Sequence, residues 1–314
     1  MLLMLLSPGD SCAEMTQKGA LSVNFDGYMS KSDAVDVGRF SWTAHKVCNY
    51  GTTISCGPKK ESPTVLWNCL ATGTFVCGDA ETGMESAFLF WKAHFDKKCH
   101  QIRMIWDGQK FSNTRSIAGT GAGEIRIEIV KSLYADLAKR DNQLISDPSD
   151  AAKFLIEGQT LWLSKKKLSL HSPFFDVLFN ADFKEKAEGE FKLDGVKMEE
   201  FIHFVEILYD LATPIDENSV EYLLKLADMW QCDVVLKACE QFLLKATEGQ
   251  VATRKKLLLA DRYKLHEVLL EIVDKVKPNE AKAFAVRCLI PTISTFLRGL
   301  LALKTSVVEL EPQK

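Results

Sequence analysis

The chain has 314 residues, of which 46% are hydrophobic and 26% are charged, and its formal net charge is -3 at pH 7. This length is sufficient for two or three domains, whereas the small negative charge supplies no basic field for a nucleic-acid backbone, so no nucleic-acid partner is expected. The nine cysteines include no C-x-x-C pair, and there is no N-x-[ST] glycosylation acceptor. Free thiols in a reducing compartment fit this pattern, which predicts a cytoplasmic or nuclear location, or both.

The first 18 residues are predicted to be a disordered leader. Their apolar run covers only residues 1–6, and no Lys or Arg precedes Lys18. A secretory signal usually has about 7–15 apolar residues behind a positively charged segment, so secretion is not expected. No apolar run in the chain reaches the length of a membrane span, so no membrane partner is expected either.

Residues 19–130 carry the pattern of β-strands. Apolar and polar residues alternate in several short runs, among them Leu21 and Val23, then Phe40, Trp42 and Ala44, then Ile125, Ile127 and Ile129. Period-two alternation between turns rich in Gly, Pro, Asn and Asp predicts an antiparallel β-sandwich with one solvent-facing side to each sheet.

The pattern changes at Lys131. Residues 132–140, SLYADLAKR, are predicted to form a short amphipathic helix that carries Leu133, Tyr134 and Leu137 on one stripe. The stripe could pack against its symmetry mate in a two-fold dimer, or it could be buried against the preceding β domain. Residues 154–156 and 160–163 are then predicted to form a hairpin around Glu157 and Gly158.

The segment LSKKKLSLHSPFFDVLFNADFKE, residues 163–185, organises the rest of the chain. Ser172 is predicted to cap a helix that has Pro173 in its first turn and ends near Asn180. Its apolar residues, Phe174, Phe175, Leu178 and Phe179, are expected on one face. The basic run 165–167 is interpreted as a solvated face. Phe183 follows among charged neighbours, either folded back on the core or available to a partner.

The remaining sequence is predicted to be mainly helical. A short strand is expected at residues 191–193, a helix at 198–209, and another helix capped by Asn218 with Glu221. Leu-Ala-Asp at 226–228, with its following apolar residues, recurs at 259–261 at an offset of 33 residues (226 to 259), which predicts two stacked helical hairpins. The apolar segment 289–303 is expected to be a packed helix.

Two groups of residues resemble parts of a phosphate-binding or a metal site. Gly119, Gly121 and Gly123 precede an alternating strand and indicate an inter-strand loop rather than a phosphate loop. His94, Cys99 and His100 are close in sequence but lack the spacing of a zinc finger. Nucleotide-loop, nucleophile-elbow and zinc-protease motifs are absent. No enzyme activity, catalytic residue, metal or cofactor is therefore predicted.

Residues 131–247 resemble the BTB/POZ fold. The resemblance rests on SLYADL, FLIEGQTLWLSKKKLSLHSPFFDVLF, FKEKAEGEFKLDGV, EEFIHFVEILYD and SVEYLLKLADMWQCDVVLKACEQFL. One departure is Leu163-Ser164, where the family often has Ala-His. Residues 19–130 resemble a MATH (TRAF-like) sandwich, mainly through VGRFSWTAHKV at 37–47. Residues 247–276 resemble the helical extension that often follows BTB domains, and residues 248–314 are assigned to a C-terminal helical extension.

The resemblance implies an α+β chain with an N-terminal antiparallel β-sandwich, a mixed α/β BTB/POZ domain and a C-terminal helical extension. It also implies a substrate-recruiting adaptor of a cullin-3 ubiquitin ligase that forms a homodimer and holds a protein substrate on its β domain. Phe183-Lys184-Glu185 matches the family's cullin-contacting loop, so Phe183 and Glu185 are the predicted cullin-binding residues, and Leu133, Tyr134 and Leu137 the predicted dimer residues. The alternative function is a self-associating BTB scaffold or transcriptional co-regulator that binds no cullin.

Overall fold

The computed structural model describes residues 17–24, 31–48, 51–78, 85–105, 122–181, 189–211, 213–277, 279, 281 and 293–306. The chain divides into two compact units. The first contains Met1–Ser62 and Trp67–Tyr134, and the second contains Pro63–Leu66 and Ala135–Lys314. The boundary therefore falls within two strands, one at Val65–Gly78, whose first two residues belong to the second unit, and one at Ala122–Asp136, whose last two residues do.

The described part of the first unit is a β-sandwich of two four-stranded sheets. Its strands are β1 Gln17–Asn24, β2 Val35–Val37, β3 Phe40–Cys48, β4 Gly51–Pro58, β5 Val65–Gly78, β6 Glu85–Asp96, β7 Gln101–Ile105 and β8 Ala122–Asp136. One sheet has the order β1-β8-β5-β6 and the other the order β2-β3-β4-β7. The strand pairs whose register is known in these sheets are antiparallel, as the alternation predicts.

Aromatic residues form the core between the two sheets. Trp42 on β3 contacts Phe95 on β6, with ring centroids 5.1 Å apart in an edge-to-face arrangement. Phe40 on β3 contacts Trp67 on β5 at 5.8 Å. Each pair joins strands of different sheets, and all four side chains are buried. The sandwich is thus stabilised by large apolar surfaces with favourable ring geometry, which confirms the predicted fold class.

The helix predicted at residues 132–140 is wrong, because β8 continues as a strand to Asp136. Leu133, Ala135 and Leu137 also alternate, so the segment fits period two as well as helical spacing. An isolated helix of nine residues is marginal, whereas the extended backbone lies in a sheet beside β5. Leu137 just beyond the strand donates its N–H to the carbonyl of Thr64 at 3.0 Å.

The second unit contains a small sheet and a series of helices. A 3₁₀ turn, Pro148–Asp150, precedes β9 Ala151–Ile156 and β10 Gln159–Ser164, and β11 is Glu190–Lys192. Its helices are α1 Lys165–His171, α2 Pro173–Asn180, α3 Met198–Leu208, α4 Val220–Met229, α5 Asp233–Lys245, α6 Thr253–Arg262, α7 His266–Lys275 and α8 Thr295–Ser306. The sheet order is β10-β9-β11, with β9 and β10 antiparallel and β11 parallel to β9.

The predicted hairpin is confirmed. Gln159 pairs with Ile156, which leaves Glu157 and Gly158 as a two-residue turn. Both have positive φ, 49° for Glu157 and 77° for Gly158. A turn with two left-handed residues matches the twist of the strands that it joins, and glycine adopts the second position without a steric cost.

The two helical hairpins of the predicted repeat are also confirmed. A left-handed residue, Gln231 (φ 51°), follows two positions after the last residue of α4, and Lys264 (φ 56°) follows α6 at the same distance. Cys232 donates its N–H to the carbonyl of Ala227 at 2.8 Å, and Leu265 makes the equivalent bond to Ala260 at 2.8 Å. Both turns are Schellman-type caps, so the sequence repeat is also a repeat of backbone conformation.

Two further predictions about helices have different outcomes. The cap predicted at Asn218 is wrong, because α4 begins after Ser219, and the Asp216 carboxylate accepts the N–H groups of both residues. The packed helix predicted within 289–303 is confirmed where the structure describes it, as α8 Thr295–Ser306 with Leu297 and Leu301 buried; residues 289–292 lie outside the described residues.

Candidate protein-interaction surface

The two residues predicted to bind a cullin, Phe183 and Glu185, lie outside the described residues, and so do their neighbours in 182–188. The elements on either side are described. α2 ends at Asn180, and β11 begins at Glu190 and pairs with β9. The structure therefore describes the helix before this segment and the strand after it.

The start of α2 is fixed by Ser172. Its hydroxyl oxygen accepts the N–H of Phe175 at 3.2 Å, which is the predicted cap. The same hydroxyl donates to the carbonyl of Trp230 at 2.5 Å. Ser172 is fully buried, and the bond joins residues 58 positions apart. One side chain thus caps α2 and ties it to the end of α4.

Aromatic packing holds the inner face of α2 against the core. Phe175 contacts the rings of Phe154 at 5.9 Å and Trp230 at 5.3 Å. Phe179 contacts Phe191 on β11 at 5.0 Å. The segment 182–188 therefore begins and ends on elements that are packed against each other through buried rings.

The apolar residues of α2 do not share one face, contrary to the prediction. Phe175 and Phe179 are buried, whereas Phe174 is 37% exposed and Val177 is 54% exposed. The spacing of 3.6 residues per turn puts the two sets on different sides of the helix. The contact of Phe175 with Trp230 determines which side faces the core, and the sequence of the helix alone does not reveal it. α2 therefore presents apolar surface outward as well as inward.

The preceding helix, α1, was not predicted. The hydroxyl of Ser164 accepts the N–H of Lys167 at 3.1 Å and donates to the buried Asp150 carboxylate at 2.5 Å. Asp150 also accepts the N–H of Lys166 at 2.8 Å. The basic run that was interpreted as a solvated face thus forms the first turn of a helix. Ser164, a residue type that often caps helices, was the one sequence signal for a helix start here. The three lysines that follow it argued against a helix start, because positive charge at a helix N-terminus is unfavourable.

This arrangement also explains the departure from the family pattern at Leu163-Ser164. The position that often carries His in the family holds a serine whose hydroxyl joins α1 to Asp150.

Leu170, on the far side of α1 from the buried Leu168, is 74% exposed.

Burial affects the titrating groups beside these helices. Burial lowers the pKa of His171, and the nearby Lys167 ammonium lowers it further. The ammonium of Lys167 also lies 5.6 Å from the ring centroid of Tyr209, whose own pKa is raised chiefly by burial. The basic residues in the first turn of α1 are Lys165, Lys166 and Lys167.

The three residues predicted for dimerisation lie on the last part of β8 and directly after it. Leu133 and Tyr134 on β8 are half-buried, and Leu137 is fully buried. The Tyr134 ring contacts Phe40 at 6.4 Å, and the guanidinium carbon of Arg39 lies 5.3 Å from its centroid. Tyr134 thus packs within the sandwich, one of the two arrangements left open by the sequence. The role of Leu133, Tyr134 and Leu137 in dimerisation stays a prediction. The helix at 132–140 on which it was based is replaced by the end of β8.

The His94, Cys99 and His100 group forms a strand end and a turn. The Asp96 carboxylate accepts the N–H groups of Lys98 at 2.8 Å and Cys99 at 2.7 Å. His94 Nδ1 is 3.8 Å from the same carboxylate. In the part of the chain that the structure describes, no three His, Cys, Asp or Glu side chains are grouped as metal ligands, and no helix there has the length and apolarity needed to cross a membrane.

Comparison with known proteins defines the class. The family model for the BTB/POZ domain matches residues 144–247, which contain the hairpin, α1 to α5 and β11. These residues are therefore similar to the BTB/POZ domain family.

Its relatives add the N-terminal part. BTB and MATH domain-containing protein 38 of Caenorhabditis elegans is 26% identical over 240 residues, 74% of this chain and 61% of the relative. BTB and MATH domain-containing protein 36 of the same organism is 26% identical over 159 residues, 50% and 49% of the two chains. Kelch-like protein 23 of Mus musculus is 37% identical over 78 residues, 25% and 14%. The matched part thus spans at most 61% of these relatives. The names of the two Caenorhabditis elegans proteins are consistent with a MATH-like domain ahead of the BTB/POZ domain.

Proposed function

We propose that the chain is a substrate-recruiting adaptor of a cullin-3 ubiquitin ligase, with no catalytic activity of its own. The observation that carries this proposal is the BTB/POZ match over residues 144–247, which includes Phe183-Lys184-Glu185 directly after α2. Relatives named as BTB and MATH proteins and as a Kelch-like protein support an interaction role. In this proposal the β-sandwich holds the protein substrate, and the adaptor acts as a homodimer in the cytoplasm or nucleus.

The described frame supports a docking role for the segment 182–188. α2 is tied to α4 through Ser172, and β11 is paired with β9. The elements that precede and follow this segment are therefore held in place by the rest of the unit. Burial of the Phe183 side chain by the cullin would contribute about 1.5–3 kcal/mol. Glu185 would accept a charge-assisted hydrogen bond or lie at the N-terminus of a cullin helix.

The test is the double variant Phe183→Ala with Glu185→Ala in the full chain. Loss of about 3 kcal/mol corresponds to a loss of roughly 100-fold or more in affinity for the cullin-3 N-terminal region, measured by biolayer interferometry. Lys184→Ala is the matched control, since it changes the residue between the two without removing either group. Unchanged affinity in the double variant, with a native circular dichroism spectrum, would refute the assignment of these two residues.

Substrate recruitment requires a test in the intact chain. β8 runs without interruption from residue 122 to 136, so a truncation starting at Lys131 would cut this strand. Photo-crosslinking residues placed at exposed positions of the sandwich, with mass spectrometry of the captured proteins, keep the fold intact. Proteins that crosslink to the sandwich and are ubiquitinated in a cullin-dependent manner are the expected result. Capture without any cullin dependence would favour the scaffold alternative.

A further inference from the structure

We propose that Cys56 and Cys69 form a disulfide between the two sheets of the sandwich when the chain meets a low-molecular-weight disulfide such as oxidised glutathione, so that the first unit carries a redox-dependent clamp. Both thiols are free in the structure, and they belong to strands of different sheets, Cys56 to β4 and Cys69 to β5. The inference goes beyond the proposed function and does not depend on it, because it concerns two core thiols and no binding surface.

Strand pairing places both cysteines in the core at the same level of the sandwich. Cys56 lies directly opposite Trp42 of β3, and Cys69 lies directly opposite Phe95 of β6. Directly opposite residues of an antiparallel pair lie on one face of their sheet, and the rings of Trp42 and Phe95 meet across the core at 5.1 Å. Each cysteine is therefore beside one member of a ring pair that joins the two sheets. Both are buried, with exposures of 2% and 0%.

The two thiol groups contact each other in this core. The thiols of Cys56 and Cys69 share a hydrogen bond. Burial raises the pKa of the Cys56 thiol above its usual value, and the neighbouring Cys69 raises it further. A disulfide bond is about 2 Å long, so the two sulfur atoms need a closer approach than the hydrogen bond gives them, but the strands keep their partners.

Burial makes the oxidation conditional on a local opening of the strands. The thiolate is the species that attacks a disulfide, and burial disfavours the thiolate of Cys56. When β4 and β5 open, one cysteine loses its proton to solvent and attacks the oxidant, which forms a mixed disulfide and releases one small thiolate. The thiolate of the second cysteine then attacks the protein sulfur of the mixed disulfide and releases the second small thiolate. Each cysteine has lost one proton and one electron, and the oxidant has become two thiols.

The new bond would restrict the separation of the two sheets. β4 ends at Pro58 and β5 begins at Val65, so residues 59–64 connect the two sheets along the chain at this point. A disulfide between residues 56 and 69 adds a second connection and closes a short loop. A closed loop of about 15 residues restricts the opened chain enough to reduce opening roughly 100-fold. Oxidation therefore converts a sandwich that opens into one whose two sheets stay together.

The experiment treats the reduced full chain with oxidised glutathione over a series of urea concentrations below its unfolding transition. Free thiols are then blocked with N-ethylmaleimide, and unreduced peptides are mapped by mass spectrometry. We expect a peptide pair joined through Cys56 and Cys69 that forms faster as urea increases, because urea promotes opening, and that is lost on addition of dithiothreitol. Glutathionylation of the exposed Cys99 in the same samples shows that the oxidant is active.

Hydrogen exchange of β4 and β5, followed by mass spectrometry, measures the effect of the bond on opening. We expect exchange of the most protected amides of these strands to slow roughly 100-fold in the oxidised chain, and to return to the original rate after reduction. Cys56→Ala should show neither the joined peptides nor the slower exchange. Cys239→Ala, which removes a buried thiol of the second unit, is the matched control and should retain both.

Three outcomes would overturn the proposal. The first is the absence of the Cys56–Cys69 pair at every urea concentration in samples where Cys99 has reacted. The second is a disulfide that joins either core cysteine to a different cysteine. The third is a Cys56–Cys69 bond that leaves the exchange of β4 and β5 unchanged. All three are read from the parent chain, so the test does not depend on the folding of a variant.

Discussion

Ser172→Ala gives the sharpest test of how the BTB/POZ unit is held together. The hydroxyl caps α2 through the N–H of Phe175 and donates to the carbonyl of Trp230. Loss of an N-cap serine costs about 1 kcal/mol. Loss of the buried partner of the Trp230 carbonyl costs about 1–3 kcal/mol. Because alanine leaves only a small space, cavity formation adds little, and the expected loss is about 2–4 kcal/mol.

The assay is urea unfolding followed by circular dichroism at 222 nm. In the part of the chain that the structure describes, all α-helices belong to the second unit, so this signal reports mainly on that unit. The transition should move to lower urea with an unchanged slope. Ser169→Ala, at a half-buried serine of α1, is the control and should change stability by less than about 0.5 kcal/mol. An equally small change in Ser172→Ala would refute the reasoning about this hydroxyl.

Three further predictions concern buried or paired groups. Glu240→Gln should stabilise the chain at pH 7, because burial and the nearby Glu267 raise the pKa of Glu240 above its usual value. Protonation of a carboxyl whose pKa is raised in the folded state stabilises that state, so the parent gains stability as the pH falls through the raised pKa. The difference in Tm between the variant and the parent should therefore shrink in acid. A variant that is less stable than the parent at pH 7 would contradict this. Cys99, which is exposed, should react with iodoacetamide well before the buried Cys239, because burial raises the pKa of the Cys239 thiol to about 12; equal labelling rates by peptide mapping would oppose it. Asp150→Ala should cost about 2–4 kcal/mol in urea unfolding, since the N–H of Lys166 and the hydroxyl of the α1 cap lose a shared charged acceptor; a loss below about 0.5 kcal/mol would show that solvent replaces it.

Local signals in the sequence predicted much of the fold correctly. The Glu157-Gly158 turn, the Ser172 cap and the paired hairpin turns at Gln231 and Lys264 each depend on a few adjacent residues. Their hydrogen bonds form within the element itself, so the residue types alone carry the information. The sandwich was predictable for the same reason, because alternation records which side of a strand is buried.

The errors occur where a distant partner decides the structure. Residues 132–136 continue β8 because they lie in a sheet beside β5, which is far away in the sequence. α1 depends on Asp150, which accepts both the cap hydroxyl and a first-turn N–H. Phe174 is outward because Ser172 and Trp230 set the orientation of α2. Sequence periodicity does not contain these long-range contacts, so it identified the apolar residues of α2 without distinguishing the buried from the exposed ones.

The candidate site was predictable only in part. The frame on both sides of the segment 182–188, α2 and β11, was predicted and is confirmed. Exposed Leu170 was not identified, because a lone leucine behind a basic run gives no periodic signal.

Isothermal titration of the intact chain with the cullin-3 N-terminal region tests the adaptor function most directly. The proposed function predicts saturable binding with one cullin for each adaptor chain, lost in Phe183→Ala with Glu185→Ala and retained in Lys184→Ala. Absence of any saturable binding by the intact, folded chain would contradict it.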